Sequence, residues 1–211
     1  MGLFGKLFGG SSKNKTKRVL DKPEQLLVGD IITLDDSFAL PALLRGQSLE
    51  IKKINTYEYE HSKSVEWVLQ GSTDDILFLS IENDDVQTLV FSLKINRDVV
   101  GNIFDLDQFS QLFDEPGSAQ LSVKNSPNEF NQWLASNYRQ CEFAQFGYFH
   151  DLDYRHQNLE DQQGDSFERY SAVSDDEKFG LEAEVYQDGE TDIVLCVHRP
   201  VSDIRQFWPK S

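Results

Sequence analysis

Val65-Glu66-Trp67-Val68-Leu69, then Ile76-Leu77-Phe78-Leu79-Ser80-Ile81-Glu82, then Thr88-Leu89-Val90-Phe91-Ser92-Leu93-Lys94-Ile95: three runs of aromatic and β-branched residues follow one another. Such runs favour extended backbone, where a branched side chain packs well on a pleated surface. The gaps, Gly71-Ser72-Thr73-Asp74-Asp75 and Asn83-Asp84-Asp85, are short and polar. Connections that short join antiparallel neighbours. The stretch therefore reads as a three-stranded β-meander, and it sets a fold class without naming a reaction.

The same pattern returns near the end of the chain. Phe167 to Val173, Phe179 to Gln187 and Thr191 to Arg199 make three more runs, and Asp188-Gly189 between the last two is a hairpin signal. Trp67 to Ile81 spans 14 positions and Tyr170 to Val185 spans 15. Both halves go aromatic strand, Asp-rich turn, strand carrying glutamate, short turn, apolar strand, so they read as two related units. The fold class is mainly β (α+β): two antiparallel meanders, read as an internal repeat, joined by a helical middle. The divisions are a basic tail over 1–18, a first β-rich unit over 19–100, a helical connector over 101–140 and a second β-rich unit over 141–211.

Between these landmarks, Val28 to Leu34 reads as a turn and a strand, and Leu49 to Glu60 as a half-exposed strand. Phe38 to Arg45 has Ser37 before it and Gly46 after it, and predicts a short helix. Asn102 to Glu115 carries Ile103, Leu106, Phe109, Leu112 and Phe113 at helical spacing. Ala119 to Val123 reads as a short strand. Ser126-Pro127-Asn128-Glu129 has a cap, a proline at the first helical position and a glutamate three residues on, which predicts a helix from Pro127 to about Asn137. Phe143, Phe146, Tyr148 and Phe149 return the chain to β, Asn158 to Asp165 reads as a loop, and the end allows one helical turn closed by Pro209.

Charge separates the tail from the body. Residues 1–18 hold five basic residues and no acidic one, which leaves −21 on the rest of a chain whose net charge is −16. An acidic body repels phosphates and argues against nucleic-acid binding. In the tail, Leu3, Phe4, Leu7 and Phe8 fall on one face of a short helix, with Lys6, Lys13, Lys15, Lys17 and Arg18 around and after them. Such a segment suits the headgroup zone of an anionic lipid surface; a tail without fixed structure is the plain alternative. No run of apolar residues is long enough to span a bilayer, and Leu3 to Phe8 is too short for a secretory signal. The expected place is the cytoplasm, peripheral at the inner membrane. Cys141 and Cys196 each sit in an apolar run and read as two buried free thiols.

Glu182 and Glu184 share one face of a strand, and Glu190 and Asp192 begin the next. In a chain this acidic they read as a solvated sheet face on which a basic protein partner could dock. The alternative is acid–base chemistry in a hydrolase or metal enzyme, which requires a buried site that separates their pKa values. His150 and His156 are weak metal candidates, because an extended strand holds them about 20 Å apart. Nothing else suggests a cofactor: no P-loop, no GxGxxG and no Gly-x-Ser-x-Gly is present. Trp67 and Tyr186 read as core.

Val28-Gly29-Asp30, Trp67-Val68-Leu69 and Phe78-Leu79-Ser80-Ile81-Glu82 together resemble an uncharacterised bacterial β-rich family often encoded near membrane-stress proteins of the phage-shock type. The pattern covers about a third of the chain and leaves Cys141 to Trp208 outside it. What it implies is a bacterial protein encoded near membrane-stress proteins, with no catalytic residue to carry over; the contrast of basic tail and acidic body is what makes a non-enzymatic binding or adaptor module the leading expectation.

Overall fold

The computed structural model describes residues 18–157 and 164–210. The three decisive runs are strands: β3 (Lys63–Gln70), β4 (Ile76–Asn83) and β5 (Gln87–Ile95). Before them come β1 (Ile31–Leu34) and β2 (Ser48–Tyr59). The second unit supplies β6 (Gln120–Ser122), β7 (Asn137–His150), β8 (Asp165–Val173), β9 (Phe179–Tyr186) and β10 (Thr191–Pro200), and β11 (Ile204–Trp208) ends the chain. The fold is mainly β, one large antiparallel sheet with two short helices in the middle.

The strand order is β11-β1-β2-β3-β4-β5-β10-β9-β8-β7-β6. The strands β1 to β5 and β6 to β10 thus make two five-stranded meanders that meet along β5 and β10. A further pairing, Thr56 to Tyr59 of β2 against Gly147 to His150 of β7, joins their far sides. That seam closes eight strands, β2 to β5 and β7 to β10, into a ring, while β1 and β11 continue outside it from β2, and β6 from β7. Gly147 makes the seam possible. A Cβ there would lie 2.9 Å from the Phe167 ring and 3.0 Å from Tyr59 Cδ1, and those two rings meet edge to face at 6.0 Å across it.

Each ring strand has an apolar face and a polar face. Trp67, Leu69, Leu77, Leu79, Leu89, Phe91, Leu181, Ala183, Ile193, Leu195 and Val197 form one buried cluster with residues that lie off the ring. Leu26, Leu40 and Leu44 come from the segment before β2; Ile103, Phe104, Phe109, Leu112 and Trp133 come from the connector. Trp67 Nε1 donates to Leu26 O at 3.2 Å, and Phe113 meets the Tyr170 ring edge to face at 5.0 Å. The main core therefore lies outside the ring, between the sheet and the segments wrapped around it.

Several local expectations change. Residues 38–45 form tight turns rather than a helix: Pro41 removes a donor, and Leu40 N→Ser37 O (3.1 Å) and Leu44 N→Pro41 O (2.9 Å) bury Leu40 and Leu44. Residues 128–133 are also turns, with Phe130 N→Pro127 O at 2.9 Å and Trp133 N→Phe130 O at 2.8 Å. Asn137 and Tyr138 already pair with Ser122 and Leu121, so the sheet takes the residues the helix would need. The predicted helix over 102–115 divides into α1 (Arg97–Ile103), α2 (Leu106–Phe109) and a 3-10 turn (Ser110–Phe113). Phe104 is extended and bridged to Val123, and Asp105 starts a new helix by accepting from the N–H groups of Asp107 and Gln108. The end forms a 3-10 turn (Val201–Asp203) and then β11, which pairs with β1. Cys141 is exposed, while Cys196 is buried. The second meander starts at β6, inside the segment read as a connector. Most of the predicted loop over 158–165 lies outside the described residues.

Candidate functional site

The polar faces of the eight ring strands meet inside. Tyr57 on β2 donates its O–H to Glu184 Oε2 on β9 at 3.3 Å. These strands are three places apart around the ring, so the bond crosses the interior. On β2 a bulge between Ile51 and Lys53 shifts the alternation by one. Leu49 and Ile51 therefore share the apolar face with Ile54, and Asn55, Tyr57 and Tyr59 turn inward. Glu66 on β3, Glu82 on β4, Lys94 on β5, Arg169 on β8, Glu182, Glu184 and Tyr186 on β9 and Asp192 on β10 line the same cavity of about 680 Å³. Asn83 and Asp84, at the exposed tip of the β4–β5 hairpin, mark its rim. Phe149, Tyr186 and Asp192 also belong to a hollow of about 1090 Å³ at the adjoining strand ends.

A hydrogen-bonded network fixes these groups. Asn55 Nδ2 donates to Glu66 Oε1 at 2.8 Å, and the Tyr186 O–H donates to Glu184 Oε2 at 2.9 Å. Arg169 Nη2 lies 2.9 Å from Glu142 Oε2 and donates to Gln145 Oε1 at 2.8 Å, with its guanidinium 5.0 Å from the centre of the Tyr59 ring. Ser171 O–H donates to Glu142 at 2.8 Å, and Lys94 pairs with Asp192. Among the described residues three buried polar atoms of this group find no hydrogen-bond partner: Asn55 Oδ1, Tyr59 Oη and Arg169 Nε.

Burial and like charge hold several carboxyls protonated well above their usual range. Burial first, then the Glu182 and Glu66 carboxyls, push Glu184 up to about 8, against the hydrogen bonds from Tyr186 and Tyr57. Burial likewise pushes Glu66 up to about 7, with Glu182 and Asp192 adding to it and the bonds from Asn55 and Tyr57 opposing it. Glu82 is raised as well, by burial and by Glu182 and Asp84, with His198 pulling the other way. Tyr57, Tyr59 and Tyr186 stay protonated, and Arg169 stays charged. Glu66 and Glu184 thus gain or lose a proton near neutral pH while sharing Tyr57. Such a pair can move a proton or supply counter-charge to a cation.

The sequence-derived sites fare differently. Glu182, Glu184 and Asp192 line the interior rather than a solvated outer face; Glu190 is exposed on the β9–β10 hairpin. His150 is buried outside this cavity, with Nε2 3.1 Å from Glu58 Oε2, and His156 is exposed. Among the described residues no three His, Cys, Asp or Glu side chains come together closely enough to hold a metal ion. Leu3, Phe4, Lys6, Leu7, Phe8, Lys13, Lys15 and Lys17 lie outside the described residues. Arg18 pairs with buried Asp30 and donates to Gln25 O at 3.0 Å, which ties it to the body. Sequence reasoning missed Tyr57, Tyr59, Glu66, Glu82 and Arg169 as site residues. Their one signal was a face that put tyrosines and an arginine among glutamates, an odd composition for a solvated surface.

Comparisons with protein-family models, curated proteins and solved structures find no match. Among the described residues no helix is long and apolar enough to cross a membrane.

Proposed function

We propose that this chain is a binding module that receives a small polar ligand inside its strand ring. One observation carries the reading: all eight strands turn polar and aromatic side chains into one cavity of about 680 Å³, within the size range of ligand sites. A protein that needed only stability would fill that space with apolar side chains, because buried carboxyls without basic partners cost free energy. Ser80 lies on the cavity wall, so Ser80→Trp would occupy the space. A thermal-shift screen of small polar compounds, followed by native mass spectrometry, should give ligands for the wild type that Ser80→Trp no longer takes. Binding unaffected by Ser80→Trp would move the site elsewhere and overturn the reading.

A catalytic role is the second reading, favoured by the titration of Glu66 and Glu184 near neutrality. It rests on the carboxyls alone, since neither His150 nor His156 reaches the cavity. Turnover of ester or glycoside substrates that Glu184→Gln abolishes would put catalysis first. The basic tail adds a location. With Arg18 tied to the body, four lysines without an acid suit an anionic lipid surface at the inner face of a membrane, each worth on the order of 1 kcal/mol there. Liposome flotation of the full chain against one lacking residues 1–17 tests this, and equal flotation of the two would remove the tail from the account. A basic protein partner could dock only where acids remain exposed, as at Glu190.

A further inference from the structure

We infer that the ligand is a linear organic polycation, a di- or polyamine, an inference that rests on the binding reading above. Six acids line the cavity against two bases, Lys94 and Arg169. Both bases are already committed, Lys94 to Asp192 and Arg169 to Glu142 and Gln145. Among the described residues no ion pair reaches Glu66, Glu82, Glu182 or Glu184; Arg169 acts on Glu182 and Glu184, and His198 on Glu82, without pairing with them, so the acids of the cavity outnumber the positive charge that reaches them.

The arrangement of the acids selects a chain-like cation. Glu182 interacts electrostatically with Glu66, Glu184 and Glu82, which stand on three different strands, and Glu82 precedes the rim residues Asn83 and Asp84. Successive same-face residues on a strand stand about 7 Å apart, so Glu182 and Glu184 alone offer two spaced contacts. A compact metal ion cannot meet carboxyls spread in this way, and no cluster with metal geometry is found among the described residues. Amine nitrogens separated by methylenes can.

A second observation points the same way. Asn55 is 4% exposed and lines the cavity, and among the described residues its Oδ1 has no partner although its Nδ2 is bound to Glu66. Tyr59 Oη is also without one. Unpaired buried acceptors are costly, and an ammonium or secondary amine brings N–H donors and nothing that competes for them. Tyr57 and Tyr186 also line the cavity and bring aromatic surface to a methylene stem and a cation, while the Tyr59 ring already carries the Arg169 guanidinium.

Isothermal titration of the full chain with spermidine, and with the neutral chain 1,8-octanediol, tests the inference. The expected result is one spermidine per chain, no octanediol binding, and at least a tenfold weaker spermidine affinity in Glu66→Gln and in Glu184→Gln, with melting curves showing both variants folded. Octanediol binding as tightly as spermidine would refute the polycation and leave the binding reading standing. Several weak spermidines per chain, insensitive to Glu184→Gln and to Ser80→Trp, would mean adsorption on an acidic surface and would also refute it. No binding of either compound refutes the polycation, and the Ser80→Trp screen then decides the binding reading separately.

Discussion

Glu184→Gln should stabilise the protein at about pH 8.5 and leave it nearly unchanged at about pH 5. Burial, Glu182 and Glu66 push the Glu184 carboxyl from an ordinary 4.5 up to about 8. A carboxyl with a higher pKa in the folded chain holds more protons there than in the unfolded chain, so stability falls as pH rises between the two values. Near 4.5 and below, both forms carry the proton and the site costs nothing; above about 8 the full cost is present. At 1.36 kcal/mol for each pKa unit the cost approaches about 5 kcal/mol. Solvent entering the cavity and proton sharing with Glu66 bring the measurable gain down to about 2–4 kcal/mol. Glutamine keeps what the network needs, because both tyrosine hydroxyls donate to the single oxygen Oε2, at 3.3 and 2.9 Å. Its amide then replaces the other oxygen and leaves no charge for Glu182 and Glu66 to repel. Urea denaturation of both proteins at the two pH values reads the effect as a higher midpoint for the variant only at the alkaline one, with an unchanged slope. An equal loss of stability at both pH values, or a wild type that gains stability between pH 5 and 8, would refute a buried, charge-crowded Glu184.

Three further perturbations probe other parts of the fold. Arg169→Met removes the cation that pairs with Glu142 and acts on Glu182 and should cost about 3–5 kcal/mol, more at alkaline than at acid pH; chemical denaturation at both measures it. Gly147→Ala forces a Cβ against Phe167 and Tyr59 and should destabilise by about 1–3 kcal/mol, with faster hydrogen exchange confined to the β2–β7 seam. Asp30→Ala unties both ends of the described chain, since this fully buried carboxylate holds Arg18, Leu27 N (2.8 Å) and Lys210 N (2.9 Å), at a cost of about 2–3 kcal/mol. Burial opposes its ionisation, but the Lys210 N–H, Arg18 and the Leu27 N–H hold its pKa below 3.8. That contribution is present at neutral pH and lost only as pH falls through the lowered value, so the wild type and Asp30→Ala should converge in strong acid.

The strands were legible because each residue's neighbours decide them. The runs over 65–95 and 167–199 combine β-branched and aromatic residues with polar gaps, and every such run is a strand. The helices were less so. Ser126-Pro127-Asn128-Glu129 is a sound start signal, yet Tyr138 is claimed by the β6–β7 ladder and its O–H accepts from Ala135 N at 2.9 Å. Tertiary pairing there outweighs a propensity worth a few tenths of a kcal/mol per residue. The closing pairing of β2 with β7 joins residues about 90 positions apart and has no local signature at all.

The site was half legible for a different reason. Alternation correctly placed Glu182 with Glu184 and apart from Leu181 and Ala183, but alternation is blind to the direction in which a sheet curls. The apolar face was read as the buried side of the two meanders and the acids as their solvated side. The sheet curls with the acids inside, and the chain outside the ring explains how that is tolerated. Leu26, Leu40, Leu44, Ile103, Phe104, Phe109, Leu112 and Trp133 lie off the ring strands, and all are buried. Side chains of that size need a surface to cover, and the convex apolar face is the one they meet. With the hydrophobic effect satisfied on the outside, the interior is free to hold tyrosines and carboxyls. Tyr57, Tyr59 and Tyr186 on the same face as glutamates, read together with that surplus of apolar residues outside the strands, were the combination from which the inversion followed.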